Sequence, residues 1–250
     1  MNTEKKIKRI AGLLDQEYGK RIWHKRGEPV SVLIGTILSQ NTSDHNSHRA
    51  FASLRNHFPD WDKLRRAPVS KIEKGIRTGG LSRIKAERIK RILNQIDKDD
   101  SDLSLSFLRR WSTDKAIEYL RKFKGVGEKT IACVLLFSLG RPVMPVDTHV
   151  LRLSRRLGLA PESLDAQKAA HLLQRTVPSD LVYSLHLNLI QHGRNVCKAQ
   201  NPKCGECAIF DHCEYEEKKN HPKGGELTYA QGKYSGGRKK NKKAVRAPAH

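Results

Sequence analysis

Apolar residues three and four positions apart recur along most of this chain, and alternating apolar–polar runs are scarce; that pattern predicts helices rather than strands. Residues 3–18 read as an amphipathic helix with Ile7, Ile10, Leu14 and Tyr18 inward. A linker from Gly19 to Pro29, holding Trp23 and Gly27, marks a crossing between domains. Val30–Leu38 is almost continuously apolar, which suits a buried strand by composition. No partner strand is evident, so the reading is a buried helix. Further helices are expected over 44–57, 61–66, 69–76, 83–96 (with Ile84, Ile89, Ile92, Leu93 and Ile96 mostly on one side) and 105–111. After the acidic loop Asp97–Ser104 they continue over 113–139, from Asp147 to about Leu157, and over 163–176 and 179–192, with Pro178 between the last two.

Two loops between these helices carry candidate chemistry. Ser39-Gln40-Asn41-Thr42-Ser43-Asp44 is a polar knot in which Ser43 or Asp44 can cap the next helix. Gln40 and Asn41 either satisfy local backbone or read base edges, since an amide both donates and accepts. Gly79-Gly80 presents Leu81 on a turn before Ser82, which can cap its helix. Leu81 is a hydrophobic staple in the plain reading and a wedge between base steps in the functional one.

The stretch Thr113–Leu139 reads as two helices joined by a tight turn, Lys124-Gly125-Val126-Gly127, with Thr113 or Asp114 capping the first. Unpartnered amides at the turn and the positive end of the second helix make an anion site, for which a nucleic-acid phosphate is the natural occupant. An ordinary αα-hairpin is the plain reading. Lys129 lies in the first turn of the second helix, where the positive end disfavours its charged form. Eighteen residues on, Asp147 within Pro145-Val146-Asp147-Thr148-His149 puts a carboxylate at another helix start.

Composition narrows the partner. Forty-eight Lys and Arg against 26 Asp and Glu give a net charge of +22 over 250 residues, which points to a polyanion. No apolar run reaches the length of a spanning helix, so nucleic acid is expected and membrane is not. The basic N-terminus has its apolar residues at helical spacing rather than in the block of a signal peptide, and an intracellular protein with reduced cysteines is expected. Residues 218–250 hold ten Lys or Arg and one acid, Glu226, with few aliphatics; they read as a disordered basic tail adding salt-sensitive affinity.

Cys197-x6-Cys204-x2-Cys207-x5-Cys213 gathers four thiols in a loop of low apolar content. Such spacing points to a metal; tetrahedral zinc and a cubane iron–sulfur cluster both accept four thiolates. Cys133, in an apolar helix, reads as core.

Gly125-Val126-Gly127-Glu128-Lys129-Thr130, then Pro145-Val146-Asp147-Thr148-His149, then the cysteine loop, is similar to the endonuclease III family of helix–hairpin–helix DNA glycosylases. The likeness covers roughly residues 5–217. It implies an all-α, two-lobed fold: a six-helix barrel over 28–140 containing the hairpin 113–139, and a second lobe of 1–27 with 141–217 that carries the cluster loop 197–213. It further implies a [4Fe-4S] cluster on Cys197, Cys204, Cys207 and Cys213. The implied activity is base excision repair by a monomer acting on double-stranded DNA, in the cytoplasm at the nucleoid or in a nucleus. Lys129 would attack C1′ of a damaged, oxidised pyrimidine nucleotide, and elimination through the Schiff base would cut 3′ of the abasic site. Asp147 would stabilise the sugar. DNA contacts would come from Gln40, Asn41, Leu81, Lys124, Gly125, Val126, Gly127, Thr148 and His149. Two departures stand out: Asn41 occupies a position where many relatives have Gln, and Lys124 replaces a proline often found there. A mismatch or modified-pyrimidine glycosylase, a non-catalytic DNA-structure binder and a redox protein are the competing readings.

Overall fold

The computed structural model describes residues 2–220. Among these the chain is all-α, with short 3-10 turns and no strand. The helices are α1 (Thr3–Tyr18), α2 (Pro29–Ser39), α3 (Asp44–His57), α4 (Trp61–Arg66), α5 (Val69–Gly75), α6 (Ser82–Ile96), α7 (Thr113–Arg121), α8 (Glu128–Leu139), α9 (Thr148–Arg156), α10 (Ala166–Thr176) and α11 (Val182–Asn195).

Two apolar cores account for their grouping. The first joins α2 through α8 around Leu33, Ile37, Leu54, Ile89, Leu93 and Leu120. The second joins α1 with α9, α10 and α11. Helix α8 belongs to both, since Ile131, Val134 and Leu135 enter the first core and Leu136 the second. Ile7, Ile10 and Leu14 of α1 are wholly buried; at about 1.5–3 kcal/mol for each such side chain, they hold the N-terminal helix against α11. Buried Asn188 completes that seam. Its Nδ2 donates to Asp15 Oδ1 at 2.8 Å and to the Gly19 carbonyl at 3.2 Å, and its Oδ1 accepts from Arg21 Nε at 3.2 Å. The linker after α1 is strapped to α8 by Trp23 Nε1, which donates to the Leu136 carbonyl at 2.7 Å.

Several local expectations need correction. Ser112, not Thr113 or Asp114, caps α7, accepting from the Lys115 amide at 3.2 Å. Ser82 does not cap α6. The position before the helix is taken by Leu81 in a left-handed conformation, φ 49° and ψ 36°, and the Ser82 hydroxyl donates to Glu73 Oε1 at 3.4 Å. Ile84 is 54% exposed instead of inward. Helix α10 starts at Ala166, capped by Asp165. At the end of the described residues Glu216–Asn220 forms a 3-10 turn, and Lys218 Nζ donates to the Phe210 carbonyl at 3.1 Å. The rest of the basic tail, 221–250, lies outside the described residues.

Candidate active site and cluster loop

The turn between α7 and α8 closes on Gly125, at φ +89°, where any Cβ would come within 2.4 Å of Arg88 Nε. Glycine suits the backbone angle, and any side chain here would also have to displace Arg88. Val126 is buried and plugs the two helices together, whereas Lys124, Gly125 and Gly127 are exposed. Gly127 caps α8 without a side chain, so the first-turn amides stay open to an anion.

Lys129 leaves this first turn and Asp147 sits at the start of α9. Both line a cleft of about 600 Å³ together with Gln40, Asn41, Thr148, His149 and Arg194. A second hollow of about 330 Å³ opens on the other side of Lys129, beside Gln40, Met144 and Gln167. Asp147 Oδ1 accepts from the Val150 amide at 2.8 Å, which fixes the carboxylate at the positive end of α9. Burial pushes the pKa of the Cys133 thiol, one turn on from Lys129, up, partly offset by Lys129. Asp147 and Lys129 act on buried His186 as well. Desolvation pushes this imidazole down to about 4, with Asp147 pulling it up and Lys129 pushing it further down. Sequence reading took Cys133 for plain core and did not single out His186, whose helical pattern resembles that of any buried residue.

The two loops beside the cleft differ in freedom. Gln40 is tied down: its Oε1 accepts from Arg88 Nη1 at 2.5 Å and its Nε2 donates to Thr130 Oγ1 at 3.4 Å. Asn41 is exposed, at φ 53°. Leu81 is 52% exposed, with Ile84 beside it on α6. A leucine in the left-handed region carries strain of about 1–2 kcal/mol, which persists only where the surroundings impose it. Thr148 is exposed, and half-buried His149 turns toward Arg152, whose Nη2 lies 3.1 Å from His149 Nδ1. Desolvation lowers the His149 pKa, partly offset by Asp147.

The cysteine loop packs on the second core through Cys197, Cys207 and Cys213. Burial, and after it the nearby Cys197 sulfur, push the Cys204, Cys207 and Cys213 thiols up, Cys207 to about 12. Neutral thiols crowded this way are a poor resting arrangement for a solvent-facing loop, and they suit a cationic metal centre that draws off the protons. Polar groups already face the sulfurs: Arg156 Nη1 donates to Cys197 Sγ at 3.3 Å, and His192 Nε2 lies 3.3 Å from Cys207 Sγ. Arg152, Arg155 and Arg156 of α9 do not project freely into solvent. Instead they hold carbonyls, Arg152 those of Gly193 and Cys197, Arg155 that of Leu164, and Arg156 those of Lys198 and Ala199. Arg194 and Lys203 pair with Asp44 and Glu206.

Comparison with known proteins agrees with this geometry. The HhH-GPD superfamily base excision DNA repair model matches residues 34–179, and the iron–sulfur binding domain of endonuclease III matches residues 197–213. Endonuclease III of Thermotoga maritima is 33% identical over 194 residues, 77% of this chain and 85% of that protein. A candidate DNA glycosylase of Arabidopsis thaliana is 44% identical over 170 residues, 67% of this chain. The match covers 58% of the Arabidopsis protein, less than two thirds of its length. A trapped endonuclease III–DNA covalent intermediate has the same fold with a TM-score of 0.73 at 26% identity, covering 88% of this chain and 99% of that one. Hairpin, cleft carboxylate and cysteine loop therefore stand in the order and setting of one lineage, and the chain belongs to the endonuclease III family within the HhH-GPD superfamily of base excision DNA repair glycosylases.

Proposed function

We propose that this chain removes damaged, oxidised pyrimidines from double-stranded DNA and then cuts the strand 3′ of the abasic site through a lysine Schiff base. The observation that carries the reading is the meeting of Lys129 and Asp147, each from a different helix start, in one cleft. The hairpin amides and Lys124 hold a phosphate of the damaged strand, while Asn41 and Leu81 fill the space left by the everted nucleotide. The Lys129 lone pair attacks C1′ as the base departs, and loss of a proton from nitrogen with ring opening gives the Schiff base. Abstraction of a C2′ proton then expels the 3′ phosphate. Asp147 stabilises positive charge on the sugar in the first step. Gln40, held by Arg88 and Thr130, positions Asn41 rather than reaching the unpaired base itself. A [4Fe-4S] cluster on Cys197, Cys204, Cys207 and Cys213 would fix the shape of the loop behind the cleft. The chain acts as a monomer in whichever compartment holds the DNA; among the described residues no helix is long and apolar enough to cross a membrane.

Borohydride trapping on duplexes carrying an abasic site, thymine glycol, uracil or a T·G mismatch tests this. A covalent adduct with the abasic duplex is expected for the natural chain and none for Lys129→Gln; normal cleavage by that variant would defeat the assignment. The exposed asparagine in place of the family's usual glutamine favours one further reading, a mismatch or modified-pyrimidine enzyme. Excision of T opposite G ahead of thymine glycol would select it.

A further inference from the structure

Lys85 is the one cation of α6 that occupies a core position. It falls on the stripe Lys85, Ile89, Ile92, Ile96 and is 2% exposed. Its Nζ donates to the Leu38 carbonyl at 2.8 Å and to the Gly79 carbonyl at 2.7 Å. An ammonium so enclosed carries a large desolvation cost, which lowers its pKa, and neighbouring Arg88 lowers it further. A methionine would fill the same volume without that cost, so the amine is retained for what it holds.

What it holds are the roots of two turns. Leu38 ends the last full turn of α2, where carbonyls lack intrahelical donors and the negative helix end favours a cation; three residues on comes Asn41 at φ 53°. Gly79 closes a 3-10 turn, and after it Gly80 and Leu81 both sit in the left-handed region, at φ 64° and 49°. One ammonium thus fastens the backbone just ahead of each exposed left-handed residue beside the DNA face.

We propose that Lys85 is a positioning residue that locks the Asn41 turn and the Leu81 turn to each other, so that both enter a distorted duplex as a single rigid wedge. This rests on the reading of those two turns as the groups that fill the gap. Neither turn needs to pay separately for ordering its strained residue, because the tie imposes both conformations before DNA arrives.

The test uses the full-length, cluster-loaded protein and a duplex with a tetrahydrofuran abasic analogue opposite 2-aminopurine, whose fluorescence rises on unstacking. Lys85→Met is expected to cut that rise about fivefold or more. Trapping at an abasic site in single-stranded DNA, which has no stack to open, should stay within about twofold. In a Leu81→Gly background the same substitution should cost less than about twofold more, because the tie then has one end loose. Wild-type unstacking by Lys85→Met, or an equal loss in both backgrounds, overturns the proposal while leaving the filler reading intact. Wild-type unstacking by both Leu81→Gly and Asn41→Gly removes the filler reading itself, and the tie with it. If Lys85→Met does not fold, hydrogen exchange decides: Leu81→Gly alone should quicken exchange at residues 39–42 as well as 79–82. Quickening confined to 79–82 overturns the tie.

Discussion

Arg88 donates to the Gln40 side-chain carbonyl at 2.5 Å while its guanidinium lies over the bare Cα of Gly125. The α7–α8 hairpin turn and the Gln40 loop are therefore linked through one arginine on α6. Gly125→Ala would place a methyl 2.4 Å from Arg88 Nε and force a left-handed alanine at φ +89°. The arginine must move and Gln40 loses its partner. The expected cost is about 2–4 kcal/mol in urea unfolding, of which about 1–2 is backbone strain. In an Arg88→Ala background the steric share vanishes, so the alanine should cost only the strain. Equal costs in both backgrounds would mean that the contact does not matter.

Asp147 has two duties that substitution can separate. It caps α9 through Val150 and presents a carboxylate to the cleft. Asparagine caps as well as aspartate, so Asp147→Asn should stay within about 0.5 kcal/mol of the natural chain, whereas Asp147→Ala should lose about 1 kcal/mol. Both should slow single-turnover formation of the trapped adduct by roughly 100-fold while still binding abasic duplex. A large gap in rate between the two, following their stabilities, would reduce Asp147 to a cap.

His186 predicts an acid limb of stability. Burial holds its folded pKa at about 4, against about 6.5 in an unfolded chain. Between those values the unfolded chain binds a proton that the folded chain refuses, so stability falls as the pH drops through the window and is fully present above it. The slope attributable to this group is at most about 1.4 kcal/mol per pH unit. Urea melts of the natural chain from pH 7 to 4.5 should fall more steeply than those of His186→Gln. Parallel curves would place the acid sensitivity elsewhere.

Much of this molecule was legible before any coordinates. The helical spacing, the glycine turn, the helix starts that carry Lys129 and Asp147, and the cysteine loop are local signals, and local signals survive without knowledge of tertiary neighbours. What escaped were partners far apart in sequence. Arg152, Arg155 and Arg156 look like surface charge in a basic chain, and nothing near them reveals that they bind carbonyls of other loops. Lys85 was visible in principle, because it keeps step with Ile89, Ile92 and Ile96, but Ile84 was assigned to that face instead; it is exposed beside Leu81. The Leu81 cap escaped because leucine is not expected at left-handed angles, and such a residue is a sign of function only after its geometry is seen.

Arg156 should govern how long the cysteine loop keeps its iron. Its guanidinium reaches Cys197 Sγ at 3.3 Å, the Lys198 carbonyl at 2.8 Å and the Ala199 carbonyl at 3.2 Å, and it stacks 4.1 Å from the centre of the Tyr215 ring. One planar fork thus joins the end of α9 to the loop's first ligand and to the segment after its last. Lysine, with a single point charge, cannot make these contacts together. Arg156→Lys should release iron to a chelator roughly 10-fold faster, followed as loss of visible absorbance, with the helical signal preserved because no core side chain has changed. Arg155→Lys serves as the control: its arginine holds Leu164 and touches no sulfur, so it should leave the release rate alone. Equal rates for the natural chain and Arg156→Lys would show that the thiolates hold the centre without this outer support.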